Sequence, residues 1–211
     1  MQARRGLSTE RVVEAAVALA DEDGLDAVSM ARVAERLGFT TMSLYRHVAG
    51  KDELLRAMLD AGLGPPPSVL DDPRDGWRAG LERWTHGVLA ALLRHPWALK
   101  VPITGPPMTP MQLAWLDRGL RALEDTGLSE GEKADVVLLL NGYAFWEARL
   151  RTELAAATPP AAVPPEMTEG MPALRRALAA GIFEDDSVGE AGVAFGLGRI
   201  LDGVEVLIAA R

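Results

Sequence analysis

Apolar residues recur along this chain at spacings of three and four, and no stretch alternates long enough to read as a half-buried strand. Val12, Val13, Ala16, Leu19 and Ala20 make the first stripe, opened by Ser8 as an N-cap with Glu10 in the first turn and stopped at Gly24. Ser29 caps a short second helix through Leu37, with Val33, Ala34 and Leu37 facing inward and Gly38 ending it. A third short helix is expected over 41–47. A fourth starts near Gly50, with Asp52 and Glu53 at its positive end and Leu54, Leu55 and Met58 on its buried side.

Residues 62–73 (GLGPPPSVLDDP) break the pattern, so a head over 1–61 and a body over 62–211 are expected. In the body, helices are expected over 75–95, from the capping box Thr109-Pro110-Met111-Gln112, and from the capping box Ser129-Glu130-Gly131-Glu132 as far as 157. The proline-rich stretch 158–172 reads as a loop, followed by a short helix over 173–180. A third capping box, Ser187 to Glu190, opens a last helix to about 210. The fold class is therefore all-α, with nine to ten helices: a three-helix helix-turn-helix unit completed by a fourth helix, then a helical bundle.

Composition changes this picture by exclusion. The chain contains no cysteine, which removes disulfides, thiolate metal sites and cysteine nucleophiles, and its three histidines include no H-E-x-x-H pattern. Neither a metal nor a cofactor is expected. There is no glycine-rich phosphate loop and no G-x-S-x-G, so no enzymatic activity is expected. No apolar run approaches the roughly 18–20 residues of a membrane span. The opening Met1-Gln2-Ala3-Arg4-Arg5-Gly6 leads into a polar helix start rather than a signal core, and a cytoplasmic location follows as an expectation. The net charge of −8 weighs against nucleic acid, but distribution matters more than the total. Residues 1–60 hold eight Lys/Arg against ten Asp/Glu, several of which (Asp21, Glu22, Asp23) cluster at the end of the first helix, where they can turn away from a DNA-facing surface.

The informative stretch runs from Ser29 to Val48. A helix-turn-helix needs a small residue where its helices cross (Ala34), a sharp turn between them (Gly38), and an apolar lock in the next helix (Leu44). The other side chains there are Thr40, Thr41, Met42, Ser43, Tyr45, Arg46 and His47, a set that fits a major groove. The same spacing also suits a glycine-linked pair inside an ordinary bundle. Tyr45 also reads as a core tyrosine, His47 as a surface or capping histidine and Lys51 as a solvated lysine.

Leu37-Gly38-Phe39, Ser43-Leu44-Tyr45-Arg46-His47-Val48 and Lys51-Asp52-Glu53-Leu54-Leu55 resemble the signature of tetracycline-repressor-type (TetR) regulators over about residues 8–60. The body is similar to the tetracycline-repressor-like C-terminal branch in helix lengths and in its ending, Phe195 to Glu205. The resemblance implies that Thr40, Thr41, Met42, Ser43 and Arg46 read bases. It implies that Tyr45, His47 and Lys51 hold phosphates or the groove edge, with Ser29 on the same DNA-facing side. The tetracycline repressor reads a guanine with an arginine in its second helix, where this chain has Ala31. Arg32 is adjacent but lies about 100° around the helix, so a different operator is expected.

The last helix carries Gly189, Gly192, Gly196, Gly198 and Gly203, each interior glycine costing roughly 0.5–1 kcal/mol relative to alanine. That composition fits close approach by another helix, either within the chain or across a homodimer. The resemblance favours a homodimer through the helices near 129–157 and 187–210, with a palindromic operator as partner. All five tryptophans lie in the body. Trp84, Trp97, Trp115, Met108, Met111, Phe145 and Trp146, with His86, Asn141 and Arg149 as polar handles, read either as core or as the wall of an apolar cavity. The resemblance makes that cavity the site of a small, largely apolar effector. The expected function is a ligand-released repressor. An activator with the same residues and a helical sensor that has lost specific DNA binding remain as alternatives.

Overall fold

The computed structural model describes residues 6–68, 76–102, 105–106, 108–157, 163–182 and 189–211. Among them are nine α-helices and no strand: α1 Thr9–Asp23, α2 Met30–Leu37, α3 Thr41–Leu44, α4 Lys51–Leu63, α5 Trp77–Arg94, α6 Pro110–Arg121, α7 Glu130–Ala156, α8 Pro172–Ala179 and α9 Glu190–Ala209. None of the described helices is long and apolar enough to cross a membrane.

Local chemistry accounts for most helix ends. Ser8 and Ser29 stand in extended backbone and accept from the amides of Arg11 and Arg32, satisfying groups that the first turn leaves open. Thr109/Gln112 and Ser129/Glu132 form both reciprocal bonds of a capping box at the starts of α6 and α7. Gly38 lies in the left-handed region at φ 70 and ψ 32. There its amide reaches Glu35 O while the Phe39 amide reaches Ala34 O, each at 3.0 Å, which is a Schellman closure. The third expected capping box begins at Ser187 and Val188, outside the described residues; α9 opens at Glu190 behind Gly189.

Most helix boundaries shift by one or two residues from the sequence reading, and the third helix differs most. The helix expected over 41–47 is α-helical only over Thr41–Leu44. Winding continues, but the Arg46 and His47 amides bond three residues back, to Ser43 O at 3.4 Å and Leu44 O at 2.8 Å. The turn tightens because Leu44 and Val48 both reach the head core before Gly50 opens α4.

Two apolar clusters organise the chain. In the head, Val12, Ala16, Val28, Val33, Leu44, Leu54 and Met58 pack together from α1 through α4. In the body, Leu81, Trp84, Val88, Trp115, Val137, Leu140, Ala144, Leu197 and Leu201 join α5, α6, α7 and α9. Glycines permit this packing: a Cβ on Gly119 would meet Val137 Cγ1 at 3.0 Å, and one on Gly87 would meet the Trp115 ring at 2.9 Å. Arg78 of α5 clamps α9, reaching Asp202 at 2.7 Å and Glu205 at 3.4 Å. Its guanidinium, with Arg199 adding to it, holds the Asp202 carboxyl below the usual range.

Candidate functional site

The Schellman turn at Gly38 sets the angle between α2 and α3, and fully buried Leu44 pins α3 against the head. With those points fixed, Thr40, Met42, Tyr45 and Arg46 are exposed, and Thr41, Ser43 and His47 are half-buried among them along the segment. The Thr40 and Ser43 hydroxyls lie 2.9 Å apart, bonded to each other. The end of α3 is held to α1 by the Thr9 hydroxyl, which donates to His47 O at 3.3 Å. Lys51 opens α4 on the exposed surface. Ser29 is half-buried, its hydroxyl engaged in capping α2.

The acids at the end of α1 are already engaged. Arg36 of α2 grips Glu22 with both guanidinium nitrogens, one of them at 2.7 Å, and holds that carboxyl below its usual range. Arg32 reaches Asp23 at 2.7 Å, so its guanidinium is engaged at the end of α1. Asp21 accepts from Trp97 Nε1 at 2.7 Å and from His95 Nδ1 at 2.8 Å. Glu53 accepts from the Ala49 amide at the start of α4. These four carboxylates are thus engaged within the fold, while Arg46 and Lys51 are exposed.

In the body, the residues read as a cavity wall separate into groups. Trp84 and Trp115 meet edge to face with ring centroids 6.4 Å apart, and Phe145 packs against the same cluster. Met111 and Asn141 are half-buried on α6 and α7. Trp97 joins the head core instead, beside Gly62 and bonded to Asp21. His86 is exposed, with Nδ1 2.7 Å from Glu82 O, and exposed Arg149 pairs with Glu153 at 2.8 Å. Met108 and Trp146 are exposed at 75% and 59%. The structure therefore brings Trp84, Trp115 and Phe145 together in one interior and leaves His86, Met108, Trp146 and Arg149 on the surface.

Sequence reasoning missed the bonds that tie α5, α6 and the end of α4 together. Trp84 Nε1 donates to Trp115 O at 2.8 Å, and Trp115 Nε1 donates to Gly64 O at 2.9 Å, just past the end of α4. One turn earlier on α6, the Met111 amide donates to Asp60 Oδ1 at 2.8 Å. The end of α4 is thus fastened twice to α6. Asp60 carries no sequence signal for this role, because its partner lies fifty-one positions away.

An apolar strip stays uncovered along α7 and α9. Leu138, Leu139 and Trp146 of α7 and Phe195 and Val206 of α9 are each more than half exposed. The glycines of α9 divide accordingly. A Cβ on Gly196 would meet the Tyr143 hydroxyl, whereas at Gly198, Gly203 and Gly142 of α7 no atom of the described residues, the helix's own backbone aside, lies within 4 Å of that position.

Residues 12–58 match the family profile described as bacterial regulatory proteins, tetR family, and residues 70–208 match that of the tetracyclin repressor-like C-terminal domain. The HTH-type transcriptional repressor DrrR1 of Streptomyces coeruleorubidus is 39% identical over 97% of this chain and 80% of its own length. Among solved structures, apo ActR from Streptomyces coelicolor superposes with a TM-score of 0.82 at 26% identity, covering 99% of each chain. ActR in complex with actinorhodin gives 0.80 at 26% identity, over 97% of this chain and 99% of that one.

Proposed function

This chain belongs to the tetracycline-repressor (TetR) family of bacterial regulators, and from that membership we propose that it is a repressor that binds a palindromic operator as a homodimer and is released by a small, largely apolar effector. The observation that carries the DNA-binding part is the α2–turn–α3 unit: a left-handed Gly38, a buried Leu44, and exposed Thr40, Met42 and Arg46 around it. Thr41 and Ser43 complete the base-reading set. Tyr45, His47 and Lys51 flank it as phosphate or groove-edge contacts, with Ser29 behind them. The pairing of Glu22 and Asp23 with Arg36 and Arg32 engages those two carboxylates at the end of α1, which supports a head whose local charge is milder there than its sequence count suggests.

The homodimer reading rests on the uncovered strip of Leu138, Leu139, Trp146, Phe195 and Val206, where Gly142, Gly198 and Gly203 leave room for a second copy's helices. Twofold pairing there sets two α3 segments about 34–36 Å apart, one DNA turn. The effector reading rests on the apolar interior around Trp84, Trp115 and Phe145, with Met111 and Asn141 at its edge, and on the similarity to ActR, which has been solved with actinorhodin. An occupant pressing on Trp115 acts directly on Gly64 and, through Met111 one turn earlier on α6, on Asp60, and so on α4, whose other end carries Lys51. Release extends only as far as the effector prefers the conformation that does not bind DNA.

The test is selection of the full chain against a pool of randomised duplexes, followed by affinity measurements across salt. Enrichment of an inverted repeat, with affinity falling steeply from low to moderate salt, is the expected result. A flat salt response, or no enrichment, refutes DNA binding. Sedimentation is expected to give a dimer for this chain and a monomer for Trp146→Glu; a monomer of the unmodified chain at micromolar concentration refutes the pairing.

A further inference from the structure

Met42 is 73% exposed at the second position of α3, the most exposed large apolar side chain of the head. Its neighbours offer little competing readout. Between Phe39 and Val48 there is no Asn, Gln, Asp or Glu, and Arg46 is the sole Lys or Arg. The Thr40 and Ser43 hydroxyls are bonded to each other at 2.9 Å. Adenine is read in the major groove by a carboxamide and cytosine N4 by a carboxylate, and this segment has neither. The one apolar group that the groove itself presents is the thymine 5-methyl. A thioether chain is unbranched and polarizable, and adapts its shape to a methyl-sized contact.

Resting on the DNA-binding reading above, we infer that Met42 is a specificity-determining residue that packs on the 5-methyl group of one thymine in each half-site. The contact needs no hydrogen bond and discriminates only by buried apolar surface. Its loss therefore costs about fourfold in affinity per methyl, or roughly fifteenfold for both half-sites of a dimer.

The experiment takes the duplex selected by the full chain and replaces each thymine in turn by deoxyuridine, which removes the methyl and nothing else. Fluorescence anisotropy is expected to show one sensitive thymine per half-site, weakened about fourfold. Met42→Ala is expected to be indifferent to uracil at that position alone, while Met42→Leu retains the preference. Uracil tolerated at every position overturns the inference and leaves DNA binding standing. So does a uracil effect that persists in Met42→Ala, or a Met42→Ala loss that is equal on the thymine and uracil duplexes. A pool from which no duplex is enriched overturns the DNA-binding reading and the inference together.

Discussion

The junction of Asp21 with Trp97 allows a quantitative test of how the body is fastened to the head. Trp97 is 3% exposed, and its indole N–H ends on a carboxylate that also holds His95 Nδ1. A hydrogen bond to a charged acceptor contributes about 1.5–3 kcal/mol, and a buried donor left without an acceptor costs about 1–3 kcal/mol. The Asp21 side chain is 35% exposed, so water offsets part of the loss and the lower end applies. Asp21→Ala is therefore expected to destabilise by about 1–2 kcal/mol. Asp21→Asn keeps an acceptor oxygen without the charge and should lose about half as much. Trp97→Phe confounds the lost donor with a void beside Gly62, where the ring now stands at 3.4 Å from a Cβ position. A double-mutant cycle separates the two, since the void is present with or without Asp21. Urea unfolding at one fixed protein concentration should give a coupling of about 1 kcal/mol between positions 21 and 97. A coupling below about 0.3 kcal/mol would show that the indole N–H does not depend on Asp21, and this account of the junction would fall.

Three further outcomes follow from other parts of the molecule. Arg46→Ala should weaken binding to the selected operator roughly five- to hundredfold and relax the preference at one position; equal weakening on all duplexes would make Arg46 a phosphate anchor instead. Gly119→Ala should lower the melting temperature, because its Cβ would stand 3.0 Å from Val137 and 3.1 Å from Trp84, an overpacking cost of about 1–3 kcal/mol against at most about 1 kcal/mol of helix propensity. Gly131→Ala, with open space at its Cβ, should raise it, and the reverse order would contradict the packing described. Burial, with Glu147 close by, pushes the Tyr143 hydroxyl up to about 12. Its folded value lies above the unfolded value of about 10, so its contribution to stability is complete below pH 10 and is lost as pH rises towards 12. Tyr143→Phe should flatten unfolding free energy across that window, and an unchanged slope would refute the assignment.

Much of this protein is legible in its sequence wherever the governing interactions span a single turn. Ser8, Ser29, Thr109 and Ser129 mark helix starts because their hydroxyls satisfy amides three residues on. Gly38 marks the end of α2 because a left-handed backbone favours a residue without Cβ, and Leu44 declares itself as a lock by spacing alone. Those local rules delivered the helix order and the α2–turn–α3 unit, and the motif around residues 37–55 delivered the family. They say that a tryptophan is buried without saying against what. Trp97 reads equally well as a wall of the body, and only the fold turns it into the head beside an aspartate seventy-six positions earlier. Likewise Glu22 and Asp23 count as net charge along the chain, yet the approach of α2 to the end of α1 converts them into partners of Arg36 and Arg32. The backbone's local conformation is decided by neighbours within a turn, so sequence determines it. Which side chains share a core or neutralise one another depends on surfaces brought together from distant positions, and tertiary packing alone decided that.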